Sequence, residues 1–217
     1  MNHHSIKIEK TAHYYTHGQI TPKVKYFWMV AHGYGQLASS ILRKFEHLGE
    51  EHFVVAPEGL SNFYWDTKKG TVGASWLTKH HRLDEIADFS RYLWTIYNHF
   101  LPQLPNNVQV MLFGFSQGGT TQVRWVLNNY PTMPRFDHLI LWGGVLPNDL
   151  DYAQYPDFKK QSIYFVCGDK DEFLDAEKLK AHQDFAEARG IVLKNVSFEG
   201  RHEVLVPVLN RLMADFY

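Results

Sequence analysis

The sequence predicts an α/β fold, a mostly parallel central sheet flanked by helices on both faces, in one domain spanning residues 1–217. Three observations predict it. Apolar runs rich in β-branched and aromatic residues recur at 26–31, 53–56, 108–113, 138–142, 162–167 and 192–198, and several lack the polar alternation of a half-exposed strand, as buried parallel strands do. Amphipathic helical patterns lie between them, so strand and helix alternate along most of the chain. No repeat, low-complexity tract or Gly/Ser linker interrupts the 217 residues, and folding at this size removes roughly 70% of the unfolded surface from water around a single core.

Taken in order, residues 6–20 are expected to supply an antiparallel edge. The first buried strand, 26–31, leads to a helix over 37–48 and a strand at 53–56. Residues 57–77 read as a long connection that carries Phe63, Tyr64, Trp65 and Trp76 among Gly59, Gly70 and Gly73. The clearest helix follows, with Leu83, Ile86, Ala87, Ser90, Leu93, Trp94 and Tyr97 at three-and-four spacing, which sets one apolar stripe toward a sheet. Strand 108–113 runs into a helix over 117–128 that ends ahead of Pro131. After strands 138–142 and 162–167, a helix starts at Asp175, a suitable N-cap, carries Leu179 and Phe185, and stops at Gly190. Strand 192–198 and a helix over 204–216 complete the chain.

Composition narrows the function. Twenty-two Lys and Arg against 23 Asp and Glu leave a formal charge of −1, too little field to attract nucleic acid. The single cysteine, Cys167, cannot form an internal disulfide, which argues against a stapled secreted scaffold. Residues 1–10 contain no apolar run of secretory type, and nowhere do eighteen apolar residues occur together. A soluble cytoplasmic protein without stable membrane insertion is the expectation; oligomeric state is not legible.

The sharpest chemical signal is Gly114-Phe115-Ser116-Gln117-Gly118, followed by Gly119. It stands between a strand and a helix, the context a nucleophile elbow needs. A serine on that strained turn projects its hydroxyl above the sheet, and glycines two before and two after let neighbouring backbone approach without a Cβ clash. The helix amino terminus then lies under a developing oxyanion.

Serine needs a base, and the base an orienting carboxylate. Downstream histidines are His138, His182 and His202. His138 opens a strand and His182 lies within a helix, so both are assigned structural or solvated roles. His202, in Gly200-Arg201-His202-Glu203 past the last strand, is placed for a base. The acid is expected in Gly168-Asp169-Lys170-Asp171-Glu172; Asp169, nearest the strand end, is the first choice, with Asp171 and Glu172 as alternatives. Backbone donors for the oxyanion are expected from Gln117 and from Tyr34 in His32-Gly33-Tyr34-Gly35. Gly33, Gly35 and Ala38 also fit G-x-G-x-x-A, with Glu58 twenty residues on. That dinucleotide reading leaves Ser116, Asp169 and His202 unexplained.

On these motifs, spread over residues 32–203, the chain resembles the small carboxylesterase, phospholipase and acyl-protein thioesterase family of α/β-hydrolases. The resemblance implies the α/β-hydrolase fold, Ser116 as nucleophile, Asp169 and His202 as its partners, and the amides of Tyr34 and Gln117 as oxyanion hole. Two positions depart from the family pattern, Gln36 where an acidic residue is common and Cys167-Gly168 where the family often has His-Gly. Phe63, Trp65 and Trp76, with Val145 and Leu146, are candidates for the acyl pocket.

His80 with Asp84, and His81 with Glu85, sit four apart on a helix, but no H-E-x-x-H or thiolate cluster exists to recommend a metal. No cofactor is required. The expected function is a serine hydrolase cleaving carboxylic esters or thioesters of small molecules through an acyl-enzyme on Ser116. The alternative is a catalytically idle protein of the same fold that binds an acyl or peptide ligand.

Overall fold

The computed structural model describes residues 1–129 and 131–216. A seven-stranded sheet runs through it in the order β1-β3-β2-β6-β7-β8-β9. Its strands are β1 (Tyr14–His17), β2 (Tyr26–Ala31), β3 (His52–Pro57), β6 (Gln109–Phe115), β7 (His138–Trp142), β8 (Ser162–Gly168) and β9 (Leu193–Phe198). All neighbours pair in parallel except β1, which lies antiparallel on β3 with Tyr14 opposite Pro57. The antiparallel edge expected within residues 6–20 is therefore confined to four of them.

Side chains alternate across each central strand, and both faces are covered. Phe27 and Met29 of β2, Leu112 of β6 and Leu139 of β7 join a core with α2 (Arg82–Phe100), α3 (Gln117–Asn128) and α4 (Ala176–Glu187). Trp28, Val30, Phe113 and Ile140 point the other way, against α1 (Ala38–Leu42) and α5 (Val206–Met213). Burial on both faces is why these strands read as unbroken apolar runs.

Three expectations need correction. The helix expected over 37–48 stops at Leu42, after which the chain makes three-residue turns, with the amides of Lys44, Phe45 and Leu48 bonded to Ile41, Leu42 and Phe45. Leu83 does not join the buried stripe of α2: it is 78% exposed, and the stripe begins one turn later at Ile86. Residues 57–77 are not an irregular connection but hold a hairpin, β4 (Ser61–Asp66) and β5 (Thr71–Ser75). Its turn is closed by Asp66 Oδ1, which accepts from the amides of Lys68 and Lys69 at 2.9 and 3.1 Å.

Candidate active site

The carboxyl ends of β2, β6, β7, β8 and β9 bring together the loops that carry the sequence motifs, the edge where open α/β sheets place their ligands. At the end of β6 the chain reverses into α3 through Ser116, at φ 52° and ψ −119°. A non-glycine residue held there costs of order 1–3 kcal/mol and persists only where its surroundings enforce it. They do so through backbone bonds, the Ser116 amide donating to Trp142 O at 2.8 Å and its carbonyl accepting from the Gly119 amide at 3.0 Å. A β carbon on Gly114 would lie 2.3 Å from Gly119 N, and one on Gly118 would lie 2.2 Å from Ala31 O. Only glycine at both positions lets the turn close this tightly.

His202 follows β9. Its Nδ1 is 2.7 Å from Asp171 Oδ2, with the carboxylate almost wholly shielded from water. The expected partner, Asp169, is turned elsewhere: its Oδ1 accepts from the Gly200 amide at 3.0 Å, fastening the β8 loop to the β9 loop. Asp171, the alternative, is aimed at the imidazole because the amides of Phe173 and Leu174 donate to its other oxygen at 2.9 and 3.1 Å. Glu172, the second alternative, accepts from the His202 backbone amide at 3.3 Å and does not meet the ring. With a carboxylate on Nδ1, the proton belongs on that nitrogen, which leaves Nε2 as the accepting atom.

The imidazole lies beside the elbow. Its centroid is 4.8 Å from the ring of Phe115, the residue before Ser116, and 4.7 Å from the ring of Phe173. Its Cε1 also faces Gly143, directly after the Trp142 carbonyl that holds Ser116; a β carbon on Gly143 would stand 2.9 Å from it. Phe173 was not legible as a site residue. The only signal is its place two residues after Asp171 in a tight turn.

The loop expected to supply an oxyanion donor, residues 32–35, is held from several sides. His32 is fully buried; its Nδ1 donates to Gly33 O at 2.8 Å and its Nε2 accepts from the Gly59 amide at 2.9 Å. Burial lowers its pKa, so the ring is neutral, as that bonding requires. The Gly35 amide donates to Ala74 O at 2.9 Å, and the Ala74 amide returns a bond to Gln36 O at 3.2 Å, so the loop pairs with β5. Gly33 approaches Ser116 closely, since a β carbon there would be 3.3 Å from Ser116 Cβ. Among the described residues, no acceptor meets the amides of Tyr34 and Gln117. The Gln117 side chain has a separate task, accepting from the Trp76 amide at 3.1 Å and donating to Leu77 O at 2.8 Å. It ties the base of the hairpin to the elbow.

The five pocket candidates divide. Phe63 and Trp65 stand with Tyr34, at ring centroid distances of 5.2 and 5.9 Å. Tyr34 and Trp65 are largely exposed. Trp76 instead belongs to the core: it is 1% exposed, its Nε1 donates to His32 O at 2.9 Å and its indole stacks on His32. Leu146 is also core, its amide donating to His182 Nε2 at 3.0 Å. Val145 packs partly buried against that core, with its carbonyl accepting from Thr120 Oγ1 at 3.1 Å. Of the other histidines, His138 is half-buried against Phe216, with Nδ1 3.1 Å from Ser162 Oγ.

Glu58, the acid of the dinucleotide pattern, is buried and accepts from the Ala38 amide at 3.3 Å and from Asn62 at 3.1 Å. Its carboxylate thus occupies the amino end of α1 where a pyrophosphate would have to bind. Glu85 Oε2 is engaged by the amide and hydroxyl of Thr78, and among the described residues no group of three or more metal-ligating side chains is assembled. Among those residues, too, no helix is long and apolar enough to cross a membrane.

No protein-family model matches the sequence, and no curated protein matches it. Solved structures match the fold. Acyl-protein thioesterase 2 from Zea mays aligns with a TM-score of 0.70 at 14% identity, covering 95% of this chain and 98% of that one. A phospholipase/carboxylesterase from Dyadobacter fermentans DSM 18053 gives 0.65 at 17% identity over 95% and 96% of the two chains. A Bacillus cereus carboxylesterase gives 0.67 at 12% identity over 95% of each. The chain has the α/β-hydrolase fold, with the mostly parallel sheet and flanking helices of these enzymes.

Proposed function

We propose that the protein is a serine hydrolase that cleaves carboxylic esters or thioesters through an acyl-enzyme on Ser116. Ser116 Oγ attacks the carbonyl carbon while His202 Nε2 takes its proton. The tetrahedral oxyanion is met by the amides of Tyr34 and Gln117. As the carbonyl re-forms, the bond to the leaving oxygen or sulfur breaks and His202 returns the proton to that atom. Water, activated by the same imidazole, then releases the acid. Asp171 holds the ring in the required tautomer and stabilises the imidazolium.

The observation that carries this reading is the strained Ser116 backbone on the loop edge that also holds the His202–Asp171 pair. A packing turn has no need of that cost. The names of the three structures described above agree in class, being a thioesterase, a phospholipase/carboxylesterase and a carboxylesterase. A fluorophosphonate probe tests it: stoichiometric labelling of the peptide containing Ser116 is expected. A chain that binds ligands without catalysis would remain unlabelled.

A further inference from the structure

We propose that Phe173 is a specificity-determining residue that receives the apolar part of the leaving group, so that the enzyme favours esters of aryl or arylalkyl alcohols over those of small alcohols. The inference rests on the serine-hydrolase reading and adds the substrate side on which selection occurs.

Its basis is the directionality of the site. The acyl carbonyl oxygen must point to the Tyr34 and Gln117 amides, whereas the leaving atom must come within about 3 Å of His202 Nε2 to be protonated. The first atoms beyond the leaving oxygen therefore lie next to the imidazole. The Phe173 ring stands edge-on to that imidazole, with centroids 4.7 Å apart and planes at 62°. It is 59% exposed, so much of an aromatic surface beside the base is open to a ligand. Phe173 is also fixed in place. Its amide donates to Asp171 Oδ1 at 2.9 Å, and its carbonyl accepts from Lys178 Nζ at 3.0 Å. The carboxylate that orients the base thus also positions the ring. The exposed aromatics of the hairpin belong to the other side, since Phe63 and Trp65 pack on Tyr34 of the oxyanion loop.

An apolar group laid on an aromatic ring gains binding that a small alcohol cannot use. In the wild type, kcat/KM for 2-phenylethyl acetate should exceed that for ethyl acetate, two esters with the same acyl group. In Phe173→Ala that ratio should fall about tenfold, and in Phe173→Leu, which keeps an apolar side chain, most of it should return. Because the ring is exposed, these variants should fold as the wild type does, and an unchanged melting temperature checks it.

An unchanged ratio in Phe173→Ala, with fluorophosphonate labelling of Ser116 intact, overturns the proposal and leaves the hydrolase reading standing. Equal losses on both esters with a displaced pH midpoint also overturn it, because they would assign Phe173 to shielding the His202–Asp171 pair. Absence of labelling in the wild type would overturn both.

Discussion

Asp171→Asn changes one oxygen to an NH2 group, and the structure says which one. The amides of Phe173 and Leu174 both donate to Oδ1, so the asparagine must keep its carbonyl oxygen there. The new NH2 then replaces Oδ2, 2.7 Å from His202 Nδ1. Two donors cannot face each other at that distance, so Nδ1 gives up its proton and becomes the acceptor. The proton moves to Nε2, and the imidazole can no longer accept from Ser116. A serine hydrolase whose base is locked in the wrong tautomer loses about 10⁴ in kcat, or ~5.5 kcal/mol of transition-state stabilisation. Asp169→Asn is the control. Its side chain still offers an oxygen to the Gly200 amide, so kcat should stay within about threefold of wild type. The assay is p-nitrophenyl acetate turnover at pH 7.5, with melting temperatures measured in parallel. Near-normal turnover in Asp171→Asn together with a collapse in Asp169→Asn would refute the assignment of the acid.

Trp76→Ala should destabilise the fold by about 3–5 kcal/mol in urea unfolding, because it empties a fully buried site and removes the bond to His32 O. Trp65→Ala, at an exposed ring, should cost under about 1 kcal/mol yet change the relative kcat/KM for acetyl and octanoyl esters, and an unaltered ratio would detach the hairpin from acyl selection. His52 and His182 are held neutral by burial, each lowered from 6.5 to about 4, and each accepts through one ring nitrogen, from Trp28 Nε1 and the Leu146 amide. The unfolded chain therefore binds more protons between these values, so stability is full above about pH 6.5 and falls toward pH 4, by at most about 3 kcal/mol for each ring; urea midpoints that do not change between pH 7.5 and 5 would contradict this. The Cys167 thiol, buried and pushed up to about 12 by burial and the nearby Asp171 carboxylate, should resist iodoacetamide at pH 8 in the native protein and react once unfolded.

Much of this architecture is legible in the sequence where burial is complete. The runs 26–31 and 138–142 coincide with β2 and β7 because residues shut away on both faces leave an unbroken apolar signal, and 117–128 coincides with α3 because the Ser116 turn and Pro131 bracket it. Legibility fails where direction depends on hydrogen bonds. The turn after β8 presents Asp169, Asp171 and Glu172, and proximity to the strand end favours the first. Yet the residue nearest the strand is pulled to the Gly200 amide, while Asp171 is rotated toward His202 by the amides that follow it. Composition likewise makes Trp65 and Trp76 equivalent members of one aromatic segment. The hairpin separates them, exposing one beside Tyr34 and burying the other against His32. That hairpin escapes pattern reading because the bulge between Tyr64 and Asp66 breaks the period-two alternation.

The account depends most on a covalent bond to Ser116. Mixing the protein with p-nitrophenyl butyrate, quenching in acid within the first turnovers and mapping the peptides by mass spectrometry tests that bond directly. One butyryl group should appear on the peptide containing Ser116, and Ser116→Ala should lose both the adduct and nearly all turnover while keeping its melting temperature. A butyryl group on any other residue, or wild-type turnover by Ser116→Ala, would contradict it.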